Sequence, residues 1–537
     1  MTITWALEAD LDFSTSYETD LTGYVEKPGR GVQIDREIGP DGAYRTSKVD
    51  ITLSNRSGAF TPENTASPFY GAMMKPGIPI RLTATIGVTT YTVWTGYIQR
   101  WKTTWAGAGG VSLCQITCYD LWYYLNEGAA VDVAASVSRD TDAALVAIAT
   151  SLGISAGDYS FADGVQDLPA HFAMGQNPAS AAQDVADSEM FGWQFISALG
   201  LWTFQNRNQR LGTTVADTWG DGTGVYPSNV SYDLDPLEYA TTVRARGRRF
   251  AVGDADVEVH RWSVGVNNGL FIASGGIHER TFQSDSATLS LVTPAAVTDY
   301  TANASDNGAG ADRTGSLTVT LTDLGGGRYT QKLVASADLY VHKFIQRGQP
   351  LNIYPDMPEI TISLPWTGEK AGQSIDLDLP WVDGDSTKVR DYAMEMLRIM
   401  RYPPARLTLD FIAGTEARQI ALLSVELGDL IRYKDVLVGA AAGAYVDDWW
   451  YVNRISIDIP PDWAGQSFTA SIGLERSYDH RKLDAIVYDA FDRANASGDL
   501  GTASSGDVWS GDTGFDIVSN AARPNATALQ IPVMAVA

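Results

Sequence analysis

The chain has 537 residues, 45% hydrophobic and 19% charged, with 64 acids against 39 bases and a formal net charge of −25. That length supports roughly three to five domains, and the acidic balance argues against wrapping nucleic acid, which needs concentrated Lys and Arg. No run of about 18 apolar residues offers a membrane span, and Met1–Glu8 has no basic stretch leading an apolar one, so no secretory signal is expected.

Residues 1–125 read as β. Val49-Asp50-Ile51-Thr52-Leu53 alternates, and Ile80–Ile86, Tyr91–Trp101 and Val111–Leu121 follow between glycine-rich turns. Trp94, Trp101, Trp105 and Trp122 are expected to fill its core. The two cysteines, Cys114 and Cys118, lie four apart on one strand and so face one side about 13 Å apart. That is too far for a disulfide. Packed thiols are expected, as in a protein made in a reducing cytoplasm.

Residues 126–235 read as a small α/β domain. Asp140-Thr141 caps a helix that buries Leu145, Ile148, Ala149 and Leu152 and stops at Gly153. Asn177-Pro178 opens a second helix with Ala182, Val185, Ala186 and Met190 inward, ended by Gly192. A hairpin follows, Trp193–Ile196 and Leu201–Phe204 around Ala198-Leu199-Gly200. Residues 236–380 read as β-rich, with a Gly/Asp-rich loop at Asn303–Asp312. A helix near Asp385-Ser386 presents Val389, Tyr392, Ala393, Met396, Leu397 and Met400 to a core, and opens a further domain at 381–480.

That last domain repeats the first. Pro76-Gly77-Ile78-Pro79-Ile80-Arg81, Tyr97-Ile98-Gln99-Arg100 and Trp105-Ala106-Gly107 return as Leu427-Gly428-Asp429-Leu430-Ile431-Arg432, Tyr451-Val452-Asn453-Arg454 and Trp463-Ala464-Gly465. A turn glycine leads an apolar strand closed by arginine, then come a second strand, a loop and a third strand. Repetition of a supersecondary unit implies repeated architecture, and two copies in one chain suit quasi-equivalent places in a ring. The fold class expected is therefore mainly β with α/β inserts: two copies of one β domain, a small α/β domain and a β-rich domain.

Catalytic chemistry is poorly represented. There is no P-loop, HExxH or Gly-x-Ser-x-Gly. His171, His260, His278, His342 and His480 lack metal spacing, and each reads as a polar surface or interface residue. Asp383-Gly384-Asp385 and Asp217–Gly222 faintly suggest calcium loops but lack the bidentate Glu, so turn chemistry is expected. Asp447-Asp448-Trp449-Trp450 imitates a sugar site and reads as a loop-to-strand junction. No catalytic, cofactor-binding or metal residue is assigned, and no cofactor. Arg244, Arg246 and Arg248 alternate along one strand and so share a face. They are the candidate inter-subunit interface, the alternative being ion pairing within the subunit.

Leu53-Ser54-Asn55-Arg56-Ser57-Gly58-Ala59-Phe60-Thr61-Pro62-Glu63-Asn64, with Ser67–Gly71 and Lys75–Ile80, resembles the opening signature of siphophage tail hub proteins, also called minor tail or baseplate hub proteins. Ala186–Glu189 with the hairpin ending Phe204-Gln205, then Asn303–Thr314 with Arg347–Leu351, then the helix at 386–401 with Val425–Asp429, are similar to the family's later domains in order. The likeness covers about 1–480. Residues 481–537 resemble the start of a concanavalin-like module, apparently incomplete.

The resemblance implies a non-enzymatic virion protein at the tail tip, assembled in the bacterial host cytoplasm. It implies a homotrimer under the distal tail protein ring, whose two tube-like β-barrel domains per chain, the two copies of the repeat, imitate sixfold symmetry. The implied partners are that ring, the tape-measure protein C-terminus, central fibre or tip proteins, and phage DNA in transit. The alternative is a receptor-binding tail-tip protein that recognises a host cell-surface glycan.

Overall fold

The computed structural model describes residues 3–477 except 15, 27–30, 40–41, 72–74, 106–110, 211–213, 235–239, 266, 285, 355–358, 364–372, 385, 401–404, 437–444, 461–462 and 464–466. Beyond 477 it describes 496–497, 509–510, 515–518, 521–524 and 533–534. Residues 1–477 and 478–537 are two compact units. The chain is mainly β and multidomain.

The first sheet is built from β1 (Ile3–Ala9), β3 (Lys48–Ser54), β4 (Ile78–Ile86), β5 (Thr89–Thr104) and β6 (Leu113–Tyr119), in the order Thr19–Asp20, β1, β4, β5, β6, β3. Strand β2 (Val32–Ile38) belongs to a different sheet. The alternation of β1 puts Ile3, Trp5, Leu7 and Ala9 inside, and that of β3 buries Val49, Ile51 and Leu53. The sheet curls toward closure: Val25 bridges Leu53, and Glu26 N–H donates to Thr52 O at 3.0 Å.

Three helices follow: α1 (Leu121–Glu127), α2 (Thr141–Ser151) and α3 (Pro178–Ser188). As the sequence predicts, Asn177 caps α3, its side chain accepting from Ser180 N–H at 3.1 Å, with Pro178 in the first turn. The helix stops at Ser188 rather than running to Gly192, because Met190 and Phe191 take positive φ and cannot continue it. Met190 therefore lies beyond the helix. The hairpin of β7 (Trp193–Ile196) and β8 (Trp202–Gln205) forms as read, with Gly200 N–H closing the turn on Ser197 O.

A second large sheet contains β9 (Asp217–Gly220), β10 (Asn229–Leu234), β15 (Ala405–Ile412), β16 (Leu430–Val436), β17 (Tyr445–Ile459) and β18 (Thr469–Arg476), in the order β9, β16, β17, β18, β15, β10. Between β10 and β15 the chain builds β11 (Ala240–Arg248), β12 (Leu339–Ile353), β13 (Glu359–Ser363), β14 (Gln373–Asp383) and α4 (Ser386–Met400), among other strands. Strand β11 lies between β13 and β14, and α4 packs on this sheet through Val389, Tyr392, Ala393 and Leu397. Strand β12 is the spine of a separate core around Leu339, Val341 and Phe344.

In the second unit, Phe515–Val518 pairs with Ala496–Ser497 and Ala521–Pro524, and Trp509–Ser510 pairs with Val533–Met534. The concanavalin-like reading of 481–537 falls mostly outside the described residues.

Candidate functional site

The two repeated segments adopt one topology. In the first, β3 pairs β6, β6 pairs β5 and β5 pairs β4; in the second, β15 pairs β18, β18 pairs β17 and β17 pairs β16, every pair antiparallel. The turn glycines are equivalent. Gly77 has φ +74 and donates to Ile98 O at 3.0 Å; Gly428 has φ +81 and donates to Val452 O at 2.8 Å. Both occupy the left-handed region that costs glycine nothing and other residues about 1 kcal/mol or more.

The register carries the equivalence further. Pro79 faces Tyr97 as Leu430 faces Tyr451, so Arg81 and Arg432 hold the same position. Each pairs with a neighbouring strand, Arg81 with Glu8 at 2.9 Å and Arg432 with Asp447 at 2.7 Å. A β-bulge falls at one position in both copies. The β5–β6 register slips between Ile98 and Arg100, and the β17–β18 register slips between Val452 and Arg454. A bulge bends a strand and increases its twist. Here it frees the second half of each long strand from its first partner: β4 pairs no further than Ile98, and β16 no further than Tyr451.

The Trp-Ala-Gly parts of the repeat are not equivalent. Trp105 follows Arg100 by five residues and is exposed, whereas Trp463 follows Arg454 by nine and is buried. The register places Trp105 opposite Ile459 in the correspondence, because β17 runs on to Ile459 before its loop. Trp105 is thus not a core residue, unlike Trp94 and Trp122; Trp101 is half-buried.

The copies are joined by a strand that leaves the first and enters the second. Strand β2 pairs antiparallel with β17 from Val32↔Ile459 to Glu37↔Arg454. It covers the edge that the bulge opens. Asp35 takes Arg454 in a two-pronged ion pair at 3.0 and 3.1 Å. Arg36 turns inward to Glu426, whose other oxygen accepts from Ala198 N–H at 2.7 Å in the β7–β8 turn. Asp429 accepts from Glu426 N–H at 2.8 Å, and burial raises its carboxyl to about 6. Glu426 therefore ties both copies and the α/β hairpin at one point. Phe468 and Trp5 meet edge to face across the same junction, and one continuous apolar core spans the two copies. The sequence marked Val425–Asp429 as a motif but gave no sign that β2 crosses over, since pairing between Val32–Ile38 and a strand some 420 residues later leaves no local pattern.

Arg244, Arg246 and Arg248 do share one face of β11, opposite buried Val243 and Ala245. Arg246 is held by Glu359 at 2.8 Å and Asp378 at 3.7 Å, and Arg248 lies over the Trp381 ring at 5.9 Å. Arg244 is exposed, in register with Thr361 and Asp376.

The remaining chemistry resolves into structural contacts. Cys114 and Cys118 are free and buried on one face of β6; burial pushes the Cys114 thiol up to about 11 and raises Cys118 too. His171 is not a surface residue: it is buried beside Trp381 and Arg139, and burial lowers it to about 3, so it stays neutral. His260 packs on Phe282, and His342 lies against Ser305 O; His480 lies outside the described residues. Asp447–Trp450 sits inside β17, not at its entry, with Asp447 and Asp448 paired to Arg432 and Arg476. Asp217 opens strand β9 rather than a turn and accepts from Trp219 Nε1 at 2.8 Å, whereas Asp221 lies in the turn after β9 and accepts from the Tyr226 hydroxyl at 2.5 Å. Among the described residues no group of three or more His, Cys, Asp or Glu is placed to hold a metal ion.

No protein-family model matches the chain, and no curated protein matches it in sequence. Solved structures with a similar arrangement include the 43 kDa tail protein of prophage MuSo2 from Shewanella oneidensis (11% identity, TM-score 0.45, covering 89% of this chain and 99% of that one). They also include a tail protein from Neisseria meningitidis (9%, 0.45, 89% and 99%) and prophage tail protein gp18 from Listeria monocytogenes (10%, 0.39, 88% and 94%).

Proposed function

We propose that this chain is a structural tail-tip protein of a bacteriophage, a hub in which three copies build a ring of six β units. The observation that carries the proposal is the doubled unit itself: equal strand order, equal left-handed glycine and equal bulge, with a strand passed from one copy to the next. A contact of this kind is heterologous. One surface gives a strand and a different surface receives it, and such contacts close into rings when the rotation allows. Within the chain the rotation relates copy one to copy two; between chains it would relate copy two to the next copy one.

The sequence signature at Leu53–Ile80 supplies the assignment to tail hubs, with a homotrimer beneath the distal tail ring and partners in the tape-measure protein and the central fibre. The charge of −25 suits a lumen that repels DNA rather than binding it. The arginine row on β11 is proposed as an auxiliary contact between subunits, with Arg244 as its most exposed member. Native mass spectrometry of the purified protein tests the reading. The expected mass is three times 57.9 kDa; a species that stays at 57.9 kDa at micromolar concentration contradicts it. Changing Arg244, Arg246 and Arg248 together to Ala should weaken that trimer, and an undiminished trimer removes the row from the interface.

A further inference from the structure

The two copies differ at one edge. In copy two the segment Arg454–Ile459 is paired on both sides, by β18 and by β2. In copy one the equivalent segment, Arg100–Trp105, is paired through Thr104 on the β6 side. Among the described residues no strand lies on its other side. The side chains report the same vacancy. Ile459 is 1% exposed, while Trp105 in the equivalent place is 63% exposed. Arg454 is clamped by Asp35; among the described residues Arg100 pairs with no carboxylate, and Lys102 beside it is exposed.

The complementary element is present in the same chain. Strand β10 precedes β15 in the chain as β2 precedes β3, and it lies along β15 with its outer edge at the margin of the sheet. All six of its residues are exposed, including Val230 at 38%, Tyr232 at 50% and Leu234 at 47%, which alternate on one face. An exposed edge strand with an apolar face is a template for pairing with another chain. Its sequence agrees with that of β2 at two of four positions: Val32-Gln33-Ile34-Asp35 against Val230-Ser231-Tyr232-Asp233, apolar and polar residues alternating in both.

We propose that β10 of one subunit adds as an antiparallel strand to the open edge of Arg100–Trp105 in the next copy of the chain. This rests on the ring reading above and specifies its inter-subunit contact. Carrying over the β2–β17 register puts Ser231 opposite Thr104, Tyr232 opposite Thr103, Asp233 opposite Lys102 and Leu234 opposite Trp101. Asp233 then faces Lys102 with Arg100 diagonal to it on the same face, as Asp35 faces Ser456 with Arg454 diagonal to it. Val230, Tyr232 and Leu234 cover the Trp101–Trp105 face. Apolar cover, backbone pairing and charge thus agree in a single register, which matters because a slip of one residue would turn every side chain to the wrong face.

The test is cysteine trapping with a charge swap, each in the full chain. Ser231→Cys with Thr104→Cys, directly opposed across the new pair, should oxidise to covalent species between chains that end at a trimer and revert on reduction. Ser231→Cys with Thr103→Cys, on opposite faces, should not. Asp233→Lys should weaken assembly about tenfold by setting like charges together, and adding Arg100→Asp and Lys102→Glu should restore it. All these positions except Thr103 are exposed, and circular dichroism checks each variant's fold. A native trimer with no cross-link and no charge effect overturns the strand addition while leaving the ring intact. A cross-link only within one chain also overturns it. A wild-type protein that is monomeric overturns both.

Discussion

Copy one and copy two share a backbone plan and almost none of its supports. The left-handed glycine of copy two is backed by Gln205, whereas that of copy one looks onto the Tyr124 hydroxyl. Among the described residues the bulged strand is sheathed on both edges in one copy and on one edge in the other. Duplicated units therefore keep the features that set chain direction, a turn and a bulge, while the contacts around them diverge with their neighbours. The asymmetry is also what an assembling subunit needs: a long strand paired on both edges at the internal joint, and an edge with no partner among the described residues at the external one.

The comparison breaks most sharply at its ion pairs. Glu426→Ala leaves Arg36, buried to 4% side-chain exposure, without its partner, and should lower the unfolding free energy by about 3 kcal/mol or more. Glu8→Ala, which removes the partly exposed partner of Arg81 in copy one, should cost about 1 kcal/mol or less. Urea unfolding of the two variants measures the contrast, and equal losses would mean that the internal joint is not the stronger support.

Each copy also holds one buried acid displaced upward by burial, Asp120 to about 7 and Asp429 to about 6. Asp120 accepts from the Tyr44 hydroxyl at 2.7 Å and from Ser47 N–H at 2.9 Å. Since its folded pKa exceeds its unfolded value, its contribution is complete below about pH 4 and is lost as pH rises through about 7. The melting temperature should fall between pH 5 and pH 8, and Asp120→Asn should remove part of that fall, on the order of 2 kcal/mol at pH 8. Melting curves across this range check it; an unchanged slope in the variant would assign the pH dependence elsewhere.

Smaller effects sharpen the glycine pair. Gly428→Ala should cost about 2 kcal/mol and Gly77→Ala about 1 kcal/mol, since both are strained by positive φ. A methyl at 428 also meets the Gln205 side chain at 2.2 Å, against 3.1 Å to the Tyr124 hydroxyl at 77. Adding Gln205→Ala should bring the two costs together. Smallest of all, Asp35→Ala should cost under about 1 kcal/mol in the folded chain, because the pair with Arg454 is exposed.

Much of this plan was legible in the chain. Alternation in β3 and β6, the Asn177 cap and the hairpin around Gly200 all follow local rules, and the Gly-apolar-Arg and Tyr-x-x-Arg matches mark equivalent backbone positions. What local pattern could not show was long-range. The crossing of β2, the place of Glu426 at a three-way joint and the burial of His171 depend on neighbours hundreds of residues or a whole domain away. The Trp-Ala-Gly match misled because three residue types can recur without a shared register. The Arg244–Arg248 face was correctly drawn, but its partners, Glu359 and Asp378, lie over a hundred residues downstream.

The account stands on the claim that a doubled β unit lets three molecules stand in for six. Electron-microscopic averages of the purified protein viewed down its axis measure this directly. The account predicts a ring of six similar lobes with threefold symmetry, neighbouring lobes differing alternately. Isolated subunits, or a ring whose symmetry is not threefold, would contradict it.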